Sequence, residues 1–481
     1  MPQRRSADAL LERLRQQLLR HLPMAHAVEA EALCTLTLPL PAPIGPAFPP
    51  RGEGPCWYWA DHPRRRYRIG LGVVHTLTAR GGRRFTTLRQ GFDTLLRRWH
   101  HLLPPGTPPS RPKAFVGFAF AGDDPMEGAW QGLPNTLLAI PELLLESAPA
   151  GAILHFTATG RALHQRAALI RRWLRQAERL LEVGTPSATL VVGAELERVA
   201  ARPDDRRWLE TVEQARRQME EGGIRKVVLV RQVTVRGDSP FREAAVLQRL
   251  GTLEPACQQI ALSMGGKSLV AATPERLVSF EDGTIRCDAL GGTIGRSGEP
   301  GGDQLLARRL LADPKMRHEH ALVVEALRET LIPLCRSLRI PEVPVIRRLH
   351  TLQHLWTPIE GEARDDASLI ELAARVHPTP AVAGTPLEES LAWLRRHHPV
   401  PRGWYTGGVG WIDTAGEGEL HVLLRCALLE EEQAHLFAGA GVVADSRAHE
   451  ELLETELKLS TLLQALGGSA GMAEENRRAR G

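Results

Sequence analysis

The 481-residue sequence predicts an α+β protein, on three observations. Two strand-like runs, 268–280 and 284–290, flank Glu281-Asp282-Gly283, the composition of a tight hairpin turn. Near the C-terminus, segments 403–413, 419–429 and 435–439 read as an antiparallel meander. Between and after such strands lie segments with helical spacing, ending in 449–466.

Residues 1–30 read as helix, and 39–55 is broken by prolines. Strands follow at 57–78 and 114–121, separated by a helix and the 104–112 loop. Segment 146–181 mixes strand with a long helix, in which Ala167-Ala168-Leu169-Ile170 and Trp173-Leu174 fall at helical spacing. Arg202-Pro203-Asp204-Asp205 marks a boundary, so 1–204 is read as the N-terminal part of the same globule and 205–466 as the catalytic region. Helix 208–221 stops at Gly222-Gly223, and a strand beginning near Lys226 follows. Further helices cover 302–311 and 317–334. The small, polar segment 467–481 reads as a flexible tail.

Hydrophobic residues at 43% and charged residues at 24% suit a globular enzyme, and a net charge of +4 is too small for a nucleic-acid footprint. Six cysteines without C-x-x-C spacing argue against a zinc site or a disulfide framework. No apolar run is long enough to span a membrane. The opening Met1-Pro2-Gln3-Arg4-Arg5 leads into a charged amphipathic segment rather than the apolar core of a signal peptide. These features predict a cytoplasmic protein.

Only five of the 60 Lys+Arg residues are lysine: Lys113, Lys226, Lys267, Lys315 and Lys458. Arg stays protonated at any usable pH, whereas a desolvated Lys can act as a base. Lys226 stands in the apolar run Val227-Val228-Leu229-Val230, where a charged ammonium is costly. Glu451, Glu454 and Lys458 share one face of the last helix at i, i+3, i+7. Glu319, inside His318-Glu319-His320, is a further candidate; those two histidines diverge on a helix, so zinc is disfavoured. Carboxylates without Cys or converging His suit a hard cation such as Mg²⁺. Gly439-Ala440-Gly441 reads either as a tight turn or as a backbone cradle for a carboxylate.

The order of these pieces resembles the chorismate-utilising enzymes, and within them the isochorismate synthases. The resemblance covers about 205–466. Its segments are Ile224-Arg225-Lys226-Val227-Val228-Leu229, Thr273-Pro274-Glu275-Arg276-Leu277, Ala289-Leu290-Gly291-Gly292-Thr293 and Lys315-Met316-Arg317-His318-Glu319-His320. They continue with His377-Pro378-Thr379-Pro380-Ala381-Val382, Arg402 to Trp411, Leu424-Arg425-Cys426-Ala427, Ala438 to Val443, and Glu454-Thr455-Glu456-Leu457-Lys458. More weakly, Phe115 to Phe120 and Trp130-Gln131-Gly132-Leu133-Pro134 look like the family's N-terminal half.

The resemblance implies an anthranilate/aminodeoxychorismate-synthase-like fold: two antiparallel sheets flanked by helices, with the active site between them. It implies addition of water at C2 of chorismate with loss of the C4 hydroxyl, with Lys226 as base and Glu275 as acid. Glu319 and Glu454 would hold Mg²⁺. Tyr405 and Arg425 would bind the enolpyruvyl carboxylate, Gly441 and Lys458 the ring carboxylate, with Gly439 in the same cradle. Gly292, Thr293 and His377 would line the pocket. A monomer with no nucleic-acid or membrane partner completes the expectation.

Position 291 discriminates within the family. A lysine nucleophile would stand where Gly291 does, and Lys226 in place of a glutamine points to water rather than ammonia. Two alternatives stay open: a salicylate synthase, which also eliminates pyruvate, and a catalytically inactive binding homologue. The pathway served, menaquinone or siderophore synthesis, is not readable.

Overall fold

The computed structural model describes residues 2–45, 48, 54–182, 195–364 and 367–467; the expected flexible tail lies outside them, apart from Gly467. The described chain forms four layers: helices, a thirteen-stranded sheet, a ten-stranded sheet, and helices again. Pairing is antiparallel except where Leu33–Leu40 runs parallel to Trp99–Leu102.

Period-two alternation builds these layers, since successive strand residues face opposite sides. In Cys56–Asp61, Trp57 and Trp59 enter the core between the sheets, whereas Cys56, Tyr58 and Ala60 face the core under the outer helices. In Lys113–Phe118, Phe115 faces inward between the sheets and Ala114, Val116 and Phe118 face the opposite helical layer. Five indoles (Trp57, Trp59, Trp130, Trp404 and Trp411) fill the inter-sheet layer. The helix Asp205–Glu221 starts at Asp204, whose carboxylate accepts the Arg207 N–H at 2.8 Å. Asp313 caps Pro314–Leu331 in the same way.

Three expectations need correction. The run 268–280 is two strands, Lys267–Thr273 in the larger sheet and Arg276–Glu281 in the smaller one. Pro274 has no N–H to extend the ladder, and the chain steps between sheets there. The C-terminal meander is also split: Gly408–Asp413 and Gly418–Val422 belong to the smaller sheet, Cys426–Glu430 and Gln433–Val442 to the larger. Arg425, at φ +47°, breaks the extended run at that second step. Finally, Leu33–Leu40 is a strand despite Pro39: its parallel neighbour pairs only through Leu36, so the proline sits where one edge is free.

The two steps lie side by side. Val422 N–H donates to Glu275 O at 3.1 Å and Ala272 N–H to Arg425 O at 3.1 Å, while the Thr273 hydroxyl donates to Val422 O at 2.6 Å. Glu275 and Arg425 are thus fixed where the chain leaves one sheet for the other. No helix among the described residues is long and apolar enough to cross a membrane.

Candidate active site

A pocket of roughly 650 Å³, its open mouth included, is lined by Lys226, Glu275, Gly292, Thr293, Glu319, Tyr405, Arg425, Gly439, Gly441, Glu454 and Lys458. Lys226 opens the strand Lys226–Gly237, whose residues Val228 and Val230 pair with Gly441 and Gly439. Those glycines leave the pocket face of Gln433–Val442 bare. A Cβ on Gly439 would lie 2.8 Å from Leu229 O and 3.3 Å from Tyr405 Oη.

Lys226 is 1% exposed, and its Nζ donates to Glu319 Oε1 at 3.0 Å. The strand around it is apolar as expected, and the amine has a half-buried carboxylate partner, supplied by the helix Pro314–Leu331. Glu275, 3% exposed, behaves oppositely. Burial, reinforced by the nearby Asp288, pushes its carboxyl up to about 8 against the pull of Lys226, so it carries its proton at neutral pH.

The helix Ala448–Leu466 packs on Gln433–Val442 and delivers Glu454 and Lys458. Lys458 Nζ contacts Glu454 Oε1 at 2.5 Å and donates to Gly439 O at 2.8 Å. One turn earlier, Glu451 is 5% exposed; burial and then the charge of Glu454, with a smaller share from Glu319, push it up to about 7. Its nearest cation is Lys315, at 3.8 Å. Glu451 thus feels the charges of both Glu454 and Glu319, and carboxylate oxygens are the hard donors that Mg²⁺ takes. Glu319 and Glu454 are each held by a lysine, and the described residues contain no ready-made cluster of three metal-ligating groups.

His377 is not in this pocket. Its Nε2 lies 3.0 Å from Thr406 O; a carbonyl can only accept, so Nε2 carries the proton. Burial drives the ring down to about 3, and it sits edge-on to Phe118 and Phe120. It supports Thr406, which does line the pocket. The histidine that lines the pocket is His354, which sequence reasoning missed. Its Nδ1 lies 3.0 Å from Thr293 Oγ1, and its Nε2 is 3.5 Å from Arg425 Nη2. Burial first, then the Arg425 charge, hold it neutral. His354 pairs with Thr293 across a bulge whose extra residue, Gly292, has φ +66°.

A protonated buried acid, a buried lysine, carboxylate oxygens and a guanidinium around one small cleft define an acid/base enzyme for an anionic small molecule. Residues 32–467 match the family model described as chorismate binding enzyme, and the chain belongs to that family. It is 34% identical over 432 residues to the salicylate biosynthesis isochorismate synthase of Pseudomonas aeruginosa, covering 88% of this chain and 87% of that one. It is 29% identical over 434 residues to the isochorismate synthase MenF of Bacillus subtilis, covering 86% and 88%. Among solved structures it resembles a putative 2,3-dihydroxybenzoate-specific isochorismate synthase, DhbC, from Bacillus anthracis (TM-score 0.69, 27% identity, 87% and 98% covered). It also shares the fold of the menaquinone-specific isochorismate synthase MenF from Escherichia coli (TM-score 0.76, 24% identity, 95% and 99% covered).

Proposed function

We propose that this chain is an isochorismate synthase, an isomerase that adds water at C2 of chorismate while the C4 hydroxyl leaves. The observation that carries the reading is the opposed pair in one pocket: Glu275, protonated at neutral pH, and Lys226, the buried amine. Lys226 takes the proton of the attacking water, and Glu275 donates its proton to the departing C4 oxygen. Lys226 accepts a proton only as the free amine, so its contact with Glu319 has to give way first. Arg425 and Tyr405 receive the enolpyruvyl carboxylate; Lys458 and the Gly439–Gly441 backbone receive the ring carboxylate. Glu319, Glu454 and the neighbouring Glu451 would hold Mg²⁺, which when bound neutralises and orients the ring carboxylate. Residues 205–466 supply every one of these groups, and 1–204 completes both sheets.

Purified protein given chorismate and Mg²⁺ tests the reading when isochorismate and pyruvate are followed together. Isochorismate without pyruvate is expected; stoichiometric pyruvate with salicylate would make it a salicylate synthase, and no turnover an inactive homologue. Lys226→Ala should abolish turnover while chorismate still binds. Lys226→Arg should be nearly as damaging, because a guanidinium does not give up its proton.

A further inference from the structure

A second cleft backs onto the first. It encloses roughly 1570 Å³, its open mouth included, against roughly 650 Å³ by the same measure for the candidate active site. Phe85, Phe120, Leu391, Leu394 and Val400 give it apolar walls, and Arg84 and Arg402 enter them. Each arginine is 5% exposed. Arg402 donates to Val382 O at 2.7 Å and to Val228 O at 2.6 Å, and its guanidinium carbon lies 4.1 Å over the Phe120 ring. Arg84 donates to Asn135 Oδ1 at 3.1 Å and to Phe120 O at 3.3 Å. Both guanidiniums thus converge on Phe120.

All these acceptors are neutral, and among the described residues neither guanidinium makes an ion pair. A guanidinium has five N–H donors, more than these acceptors take up. The acids in the same wall, Asp123 for Arg84 and Asp124 for both guanidiniums, act on them through space and not by contact. Asp124 spends its carboxylate on the backbone N–H groups of Met126, Arg402 and Gly403, and Asp123 is exposed. Burying cations against apolar walls without a counter-charge in contact is costly, and an anion with an apolar body lowers that cost.

We propose that this cleft is a binding site for a ring-bearing monocarboxylate, its carboxylate on Arg84 and Arg402 and its ring against Phe120, Phe85 and Leu391. The Arg402 acceptors Val228 and Val382 also line the candidate active site, as does Thr406, the acceptor of His377. One layer of backbone therefore separates the two ligands. The site does not depend on which reaction the first pocket catalyses.

Benzoate is the probe, titrated into the full-length protein by calorimetry, with benzamide as its uncharged isostere. Benzoate should bind with a Kd on the order of 1 mM, the range for a ligand of this size. Benzamide should bind about tenfold more weakly, having lost the charge-assisted contact. Leu391→Trp and Val400→Phe each narrow the cleft and should abolish benzoate binding while chorismate turnover shows that the protein is folded. Arg425→Gln alters only the first pocket and should leave benzoate binding intact. No benzoate binding, equal binding of benzamide, binding that survives both cleft variants, or binding lost in Arg425→Gln would each overturn the proposal.

Discussion

Gly441 lies so close to Lys226 that a methyl group on it would stand 2.9 Å from Lys226 Cε, and 2.8 Å from Glu319 Oε1. Both of those atoms lie near the far ends of flexible side chains, and Gly441 has an ordinary extended backbone, so the fold can absorb an alanine by moving them. Gly441→Ala should therefore melt within a few degrees of the wild type. Turnover should fall by about 10²-fold, the cost of an ångström-scale misplacement of reacting groups. Thermal melts beside kcat/KM check this; unchanged turnover would dissociate the Lys226–Glu319 geometry from catalysis.

Glu275 makes a prediction in pH. Its native pKa of about 8 lies above its ordinary 4.5, so between those values the folded state holds a proton that the unfolded state has released. Stability then falls as pH rises through that window and levels off above it. Glu275→Gln carries no such penalty and should gain stability relative to the wild type between pH 5 and pH 9 in denaturant titrations. A general acid must be protonated, so wild-type turnover should decline as pH rises through about 8. Glu275→Gln should lose about 10²–10⁴-fold in kcat; wild-type kcat in that variant would remove the acid role.

Chelation by EDTA should stop turnover and Mg²⁺ should restore it. Glu319→Gln and Glu454→Gln should each raise the Mg²⁺ needed for half-maximal rate by at least about tenfold, since even outer-shell partners of a metal are worth that much. An unaltered requirement in both would refute the assignment.

The adjacent glycines 291 and 292 should part company. A Cβ on Gly291 would meet His320 Cα at 3.5 Å, an ordinary contact. Gly291→Ala should keep activity within about twofold and gain about 0.4–1 kcal/mol from a stiffer unfolded chain. Gly292, at φ +66° with Met316 O 3.0 Å from a would-be Cβ, should lose about 1–3 kcal/mol on the same change. Denaturant melts of the two variants compare them directly.

Helices such as Ala448–Leu466 and the turn at Asp282-Gly283 were legible because their signals are local. The crossings at Pro274–Glu275 and at Arg425 were not: a strand's sequence does not say which sheet will pair with it. His354 carries no motif of its own, and what makes it a pocket residue is its register with Thr293, 61 positions away. His377 misled for the converse reason. Its motif is local and recognisable, but the ring turns to Thr406 O from behind the pocket wall. Sequence placed the chemistry-bearing residues on their elements; long-range pairing decided which of them meet.

Cys56–Asp61 pairs with Gln258–Met264, and Lys113–Phe118 pairs with Gly408–Asp413. Every ligand-facing group in the pocket comes from beyond position 204, which invites cutting the chain there to obtain a minimal enzyme. The cut would bare three ladders at once, since it also strips Leu196–Arg202 from Lys226–Gly237, and the strands it exposes are mostly buried in the whole chain. Such margins are templates for stray strand pairing. The first 204 residues thus cover strand edges, in both sheets, that the rest of the chain would leave unpaired.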